Sequence, residues 1–197
     1  MVKKKILIVE GNTREENSEF TAVGINTHTE SLIESINFYK KDLDISIANP
    51  SSDNNLKNSI DSLDKYDGMI WGGSSLNIYN DTDEIRRQIS FMRECQLKIK
   101  KIFAICWGLQ VAVTVAGGQV KKSDKGAHRG IAHNIKVNNI GSNHKIYLDK
   151  KRQFNSPAFN FDEVVKIPEG AILLSSNELN NVMGCLLYTS DAADDSY

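Results

Sequence analysis

No apolar run in this sequence approaches the length that spans a bilayer. The start is basic, with Lys3, Lys4 and Lys5, but the apolar run behind it stops at Glu10, too short for a secretory signal peptide. Cysteine is sparse. The three present, Cys95, Cys106 and Cys185, lack metal-type spacing and do not suggest a disulfide framework. Neither sign of charge dominates: 24 basic and 25 acidic side chains leave a formal net charge of −1, and the two signs are interspersed. Bulk electrostatics therefore imply no nucleic-acid partner. No internal repeat or low-complexity tract is visible. The expectation left by these absences is a cytoplasmic protein with no membrane partner. Its 197 residues suffice for one domain with a sizeable core.

Strand and helix signals alternate over the first two-thirds of the chain. Residues 5–9 form an apolar run closed by Glu10-Gly11-Asn12 and read as a buried strand. Residues 12–27 are polar and read as a long loop with at most a helical turn. Leu32, Ile33, Ile36 and Tyr39 recur at helical spacing. Residues 44–48 alternate apolar and polar and stop at Asn49-Pro50, as a strand does. Leu56, Ile60 and Leu63 make a weak helical stripe. Residues 67–71 read as a third strand, stopped by Gly72-Gly73-Ser74-Ser75. Residues 81–95 are the clearest helix, with Ile85, Ile89 and Met92 on one face and Asp81, Asp83 and Glu84 at the start, where the dipole favours them. After Gly118 the pattern changes to strands, expected at residues 131–137, 145–148 and 171–175. The alternation predicts an α/β fold: a mainly parallel central sheet, helices on both faces and a small antiparallel extension.

One segment carries chemistry. Residues 102–105 are apolar and read as a buried strand; an amphipathic helix follows over residues 108–116 and is closed by Gly117-Gly118. Cys106 sits on the turn between them, with Ala104 two residues before it and Gly108 two after. A nucleophile elbow needs this layout, because a sharp strand-to-helix turn lifts one side chain clear only if its flanks are small. The helix behind the turn directs its positive end at the sulfur and favours thiolate over thiol. In isolation Cys106 also fits a buried structural cysteine, a common fate of the residue. The glycine loop at Gly72-Gly73, directly after a buried strand at the sheet edge, favours a site.

These segments resemble a class I glutamine amidotransferase of the stand-alone, GMP-synthase-like type, with a flavodoxin-like fold. The resemblance rests on residues 6–12, on residues 66–79 with Gly72-Gly73 at their centre, and on Cys106-Trp107-Gly108-Leu109-Gln110 followed by Ala116-Gly117-Gly118. It continues through Asn160-Phe161-Asp162-Glu163-Val164, Pro168-Glu169-Gly170-Ala171 and Ser176-Asn177-Glu178. It implies that Cys106 attacks the side-chain amide carbon of glutamine. Backbone N–H groups of Gly73 and Trp107 would hold the oxyanion, and Gly72, Gly108 and Gln110 would support the substrate site. It implies no metal and no organic cofactor. The implied partners are glutamine or a γ-glutamyl substrate and a separate synthetase or acceptor subunit. The same elbow serves γ-glutamyl peptidases, and a non-catalytic binding module of the same fold is a third reading.

The chain departs from the family in one essential place. The family's general base is a histidine in a His-Pro-Glu segment near the C-terminus, and none of His28, His128, His133 and His144 precedes Pro-Glu. Relatives commonly carry histidine where this chain has Asn160. Residues 185–197, beginning Cys185-Leu186-Leu187-Tyr188-Thr189-Ser190, resemble one reading frame of a transposase sequencing adapter. The expected organisation is therefore an amidotransferase domain over residues 1–184, incomplete at its end, with a non-native tail over 185–197 and defective turnover. Other residues are expected to be structural: Cys95 on its helix, Trp71 and Trp107 as packing residues, the four histidines at the surface or in loops, and Asp162-Glu163 as a solvated pair.

Overall fold

A computed structural model describes residues 3–53 and 56–187. The expected tail beyond residue 187 lies outside the described residues. The chain divides into two compact units, the first ending at Ala112 and the second beginning at Val113.

In the first unit the apolar run after Lys5 forms the centre of a sheet. Strand β1 (Lys4–Val9) is followed by helices α1 (Arg14–Ala22) and α2 (His28–Tyr39), strand β2 (Leu43–Ala48) and the short helix α3 (Lys57–Asp61). Strand β3 (Gly68–Trp71), helix α4 (Asp83–Lys98), strand β4 (Ile102–Ala104) and helix α5 (Trp107–Val115) complete the alternation. The sheet order is β2-β1-β3-β4, and every neighbouring pair is parallel. Leu7, Ile8, Val9, Met69 and Trp71 from the strands and Ile85, Phe91 and Met92 from α4 are buried. β1 has β2 on one side and β3 on the other. The topological switch point, where α/β sheets bind ligands, therefore lies at the carboxyl ends of β1 and β3.

Two expectations for this unit are corrected. Residues 12–27 are not a long loop, because most of them form α1 and the start leading into α2. The helix α1 buries none of its residues, so it shows no apolar stripe to read. Its signal is local, a capping box in which Thr13 and Glu16 satisfy each other's backbone N–H groups; Thr27 and Glu30 repeat it for α2. The elbow strand β4 is not fully buried. It is the last strand of the sheet, with fewer neighbours to cover it, and Phe103 keeps 47% of its surface exposed.

The second unit is antiparallel. β5 (Gln119–Lys122) pairs with β8 (Asp162–Lys166), while β6 (His128–Val137), β7 (Gln153–Asn160), β9 (Ile172–Ser176) and β10 (Gly184–Leu186) form a sheet in the order β10-β9-β6-β7. The five-residue helix α6 (Asn139–Asn143) follows β6. Residues 145–148 are not a strand. His144 caps a 3₁₀ turn over Lys145–Tyr147, a local hydrogen bond that outweighs a short alternation. His128 is not a surface residue: only 3% exposed, it lies between Asn160 and Asn177. Asp162 and Glu163 are not solvated either. Both are buried in β8, where they pair in register with Lys122 and Lys121. Cys185 and Leu186 lie in β10, opposite Leu173 and Ile172.

Candidate active site

The carboxyl ends of β1, β3 and β4 converge on Cys106. Its backbone φ is 52°, a left-handed value that costs a non-glycine residue energy and that a nucleophile elbow requires. The side chain is exposed. Its carbonyl accepts the Gln110 N–H at 3.1 Å and opens α5, so Cys106 stands at the positive end of that helix.

The small residue after the elbow has a measurable reason. A Cβ placed on Gly108 would lie 2.5 Å from the Trp71 carbonyl oxygen and 2.9 Å from the Trp71 Cβ. Only glycine lets α5 approach β3 this closely. Two hydrogen bonds then stitch the turn to β3: Ile105 N–H donates to Trp71 at 2.8 Å, and Gly108 N–H donates to Gly72 at 3.1 Å. Gly72 thus orients the elbow through its carbonyl. The N–H groups of Gly73 and Trp107 have no backbone acceptor among the described residues.

The loop after β1 holds the other side. Gly11 is wedged so tightly that an added Cβ would meet the Gly73 oxygen at 2.7 Å and Trp107 Cδ1 at 2.8 Å. Asn12, fully buried, accepts the Ser75 N–H at 3.0 Å on its side-chain oxygen and pins the glycine loop to β1. The Glu10 carboxylate, 4% exposed, accepts the Asn12 N–H at 2.9 Å. Gln110 is buried on α5, one turn past Cys106.

One residue near this arrangement escaped the sequence reading. Gln88 on α4 is fully buried. Its Oε1 accepts the Trp107 indole N–H at 2.7 Å, and its Nε2 donates to the Gly11 carbonyl at 2.9 Å. The available signal was a polar residue at position 88, three after Ile85 and four before Met92 on an apolar face. His28, at the start of α2, is the one histidine in the first unit; its Nδ1 lies 3.6 Å from the Cβ position of Gly73. The structure brings Cys106, Gly72, Gly73, Trp107, Gly108 and Gln110 into one unit. Cys95 stays apart on α4, where burial pushes its thiol up to about 12. Among the described residues, no three His, Cys, Asp or Glu side chains gather as a metal site. No helix among them is long and apolar enough to cross a membrane.

A parallel sheet, a strained cysteine on its strand-to-helix turn and a glycine loop alongside define an α/β protein with nucleophile-elbow geometry. A sequence model of the family Glutamine amidotransferase class-I matches residues 25–189, and the chain belongs to that family. It is 30% identical over 183 residues to a gamma-glutamyl-L-1-hydroxyisopropylamide hydrolase of Pseudomonas sp, covering 90% of this chain and 60% of that protein. It is 32% identical over 123 residues to gamma-glutamyl peptidase 3 of Arabidopsis thaliana, covering 61% of this chain and 49% of the relative. Among solved structures, a glutamine amidotransferase from Thermotoga maritima superposes with a TM-score of 0.72 at 14% identity, over 94% of this chain and 72% of that one. The chain therefore spans about half to three-fifths of the length of these two sequence relatives.

Proposed function

We propose that the chain carries the nucleophile half of a γ-glutamyl amide hydrolase, with Cys106 as the attacking group. The sulfur adds to the γ-carbonyl carbon while the N–H groups of Trp107 and Gly73 receive the developing oxyanion. The C–N bond then breaks, and the amine leaves with a proton. Water cleaves the γ-glutamyl thioester to glutamate and restores the thiol. Glutamine is the simplest such substrate, and its leaving amine is ammonia, which a separate synthetase or acceptor subunit would consume. The observation that carries the reading is Cys106 at φ 52° on a turn that only glycine at position 108 permits. No cofactor enters this chemistry.

Membership in the amidotransferase family supports free glutamine as substrate. The Pseudomonas and Arabidopsis relatives, named for γ-glutamyl amides and peptides, support substituted amides. The two separate by comparing kcat/KM for glutamine and for γ-glutamyl alkylamides. A preference for substituted amides identifies a hydrolase or peptidase, and a preference for glutamine identifies an amidotransferase. Absence of any reaction at Cys106 refutes both and leaves a binding module.

The 197 residues contain no His-Pro-Glu segment to supply the general base. These 197 residues should therefore turn over glutamine slowly, and rapid glutaminase activity refutes this.

A further inference from the structure

Gln88 does more than fill the core. α4 buries Ile85, Phe91, Met92 and Cys95 on the same helix, all groups that need no hydrogen bond. A fully buried primary amide is costly in such a place unless both of its ends are used. Here both are, and in only one orientation. The Trp107 indole N–H can only donate and the Gly11 carbonyl can only accept, so the Gln88 Oε1 must face the first and its Nε2 the second.

The two groups it joins belong to different sides of the oxyanion site. Trp107 follows Cys106 directly, and its ring and its N–H share one residue. Gly11 is in close contact with both the Trp107 ring and the Gly73 carbonyl oxygen. A single side chain therefore fixes the rotation of the elbow and the depth of the loop against which Gly73 rests. Preorganised donors work only when held to a fraction of an ångström, and small misplacements cost large factors in rate.

We infer that Gln88 is a positioning residue for the oxyanion donors Trp107 and Gly73, acting through the indole of Trp107 and the carbonyl of Gly11. This rests on the thioester reading of Cys106. Gln88 touches no reacting atom.

The test uses the chain as it stands, with an activated γ-glutamyl aryl ester as acyl donor. Its aryloxide leaves without a proton, so acylation reports on the oxyanion site even when no base is present. The sulfur–carbon bond forms, the carbon–oxygen bond breaks, and release of the phenolate is followed by colour. Iodoacetamide serves as the control, because displacement of iodide by Cys106 passes through no oxyanion. Gln88→Met keeps the length and shape but neither hydrogen bond. It should acylate about 10- to 100-fold more slowly than the parent, while alkylation of the Cys106 peptide stays within twofold. Gln88→Glu keeps both bonds only as the neutral acid. Its acylation rate relative to the parent should recover at acid pH and fall as pH rises, a profile that a defect in packing alone does not produce. If Gln88→Met does not fold, this profile decides alone. The inference is overturned if Gln88→Met acylates at the parent rate, if it loses acylation and alkylation equally, or if the Gln88→Glu ratio is flat with pH. Absence of acylation in the parent overturns the thioester reading and this assignment with it.

Discussion

Gly108→Ala is the sharpest steric perturbation the structure offers. The added methyl would sit 2.5 Å from the Trp71 carbonyl oxygen and 2.9 Å from the Trp71 Cβ, both rigid parts of β3. To reach ordinary contact, the first turn of α5 must withdraw by most of an ångström. Overpacking of this kind costs about 1–3 kcal/mol. The withdrawal also breaks the Gly108 N–H bond to Gly72, worth about 1 kcal/mol. A loss of about 2–4 kcal/mol lowers the melting temperature of a chain this size by roughly 4–16 °C. Acylation of Cys106 should fall more steeply than stability, because the same movement carries the Trp107 N–H away from the proposed oxyanion position. Gly117→Ala is the matched control. Gly117 has φ 86° and nothing within 4 Å of its Cβ position, so alanine there meets backbone strain of ~1–2 kcal/mol and no clash. Thermal melts with parallel acylation assays decide the point. A Gly108→Ala variant that melts within a degree or two of the parent and acylates at its rate would refute the close-approach argument.

Other outcomes follow from single contacts. Asn12→Ala removes the acceptor of the Ser75 N–H, which should cost about 0.5–1.5 kcal/mol in urea unfolding and loosen the glycine loop enough to slow acylation. Cys95 sets an alkaline limit. Its folded thiol is pushed up to about 12 by burial, whereas an unfolded thiol ionises near ~8.5. Between these values the unfolded chain binds fewer protons, so this contribution to stability is complete below the lower value. It is lost as pH rises toward the upper one, by at most ~1.4 kcal/mol per pH unit. Urea midpoints at about pH 8 and pH 10 should diverge more for the parent than for Cys95→Ala; equal divergence contradicts the assignment.

The parts of the fold that could be read in the sequence were those where a local pattern and a tertiary role coincide. The run ending at Val9, the stripe on α4 and the Ala104-Cys106-Gly108 spacing each report burial or close approach through residue type alone. α1 gave no stripe, because none of its residues is buried, and only its capping box announced it. β7 alternates in burial, but its inward positions include Ser156 and Asn160 while Phe159 stays 72% exposed, so the hydrophobic pattern misreports the strand. His128, Asp162 and Glu163 are buried by pairing that only the folded sheets create. The candidate site divides in the same way. The elbow and glycine loop were legible because they need special residue types at fixed spacing. Gln88, Asn12 and Glu10 were not, because their roles depend on partners that only folding brings together, such as Trp107 for Gln88 and Ser75 for Asn12.

If Cys106 is a thiol that attacks γ-glutamyl carbonyls, an electrophilic ketone analogue of glutamine should label it, as peptide mass mapping can show directly. A single adduct on Cys106 is expected, slowed by competing γ-glutamyl substrate and absent from Cys106→Ser, with buried Cys95 unmodified. An unlabelled Cys106, or labelling that neither γ-glutamyl substrate nor the Cys106→Ser change affects, would contradict it.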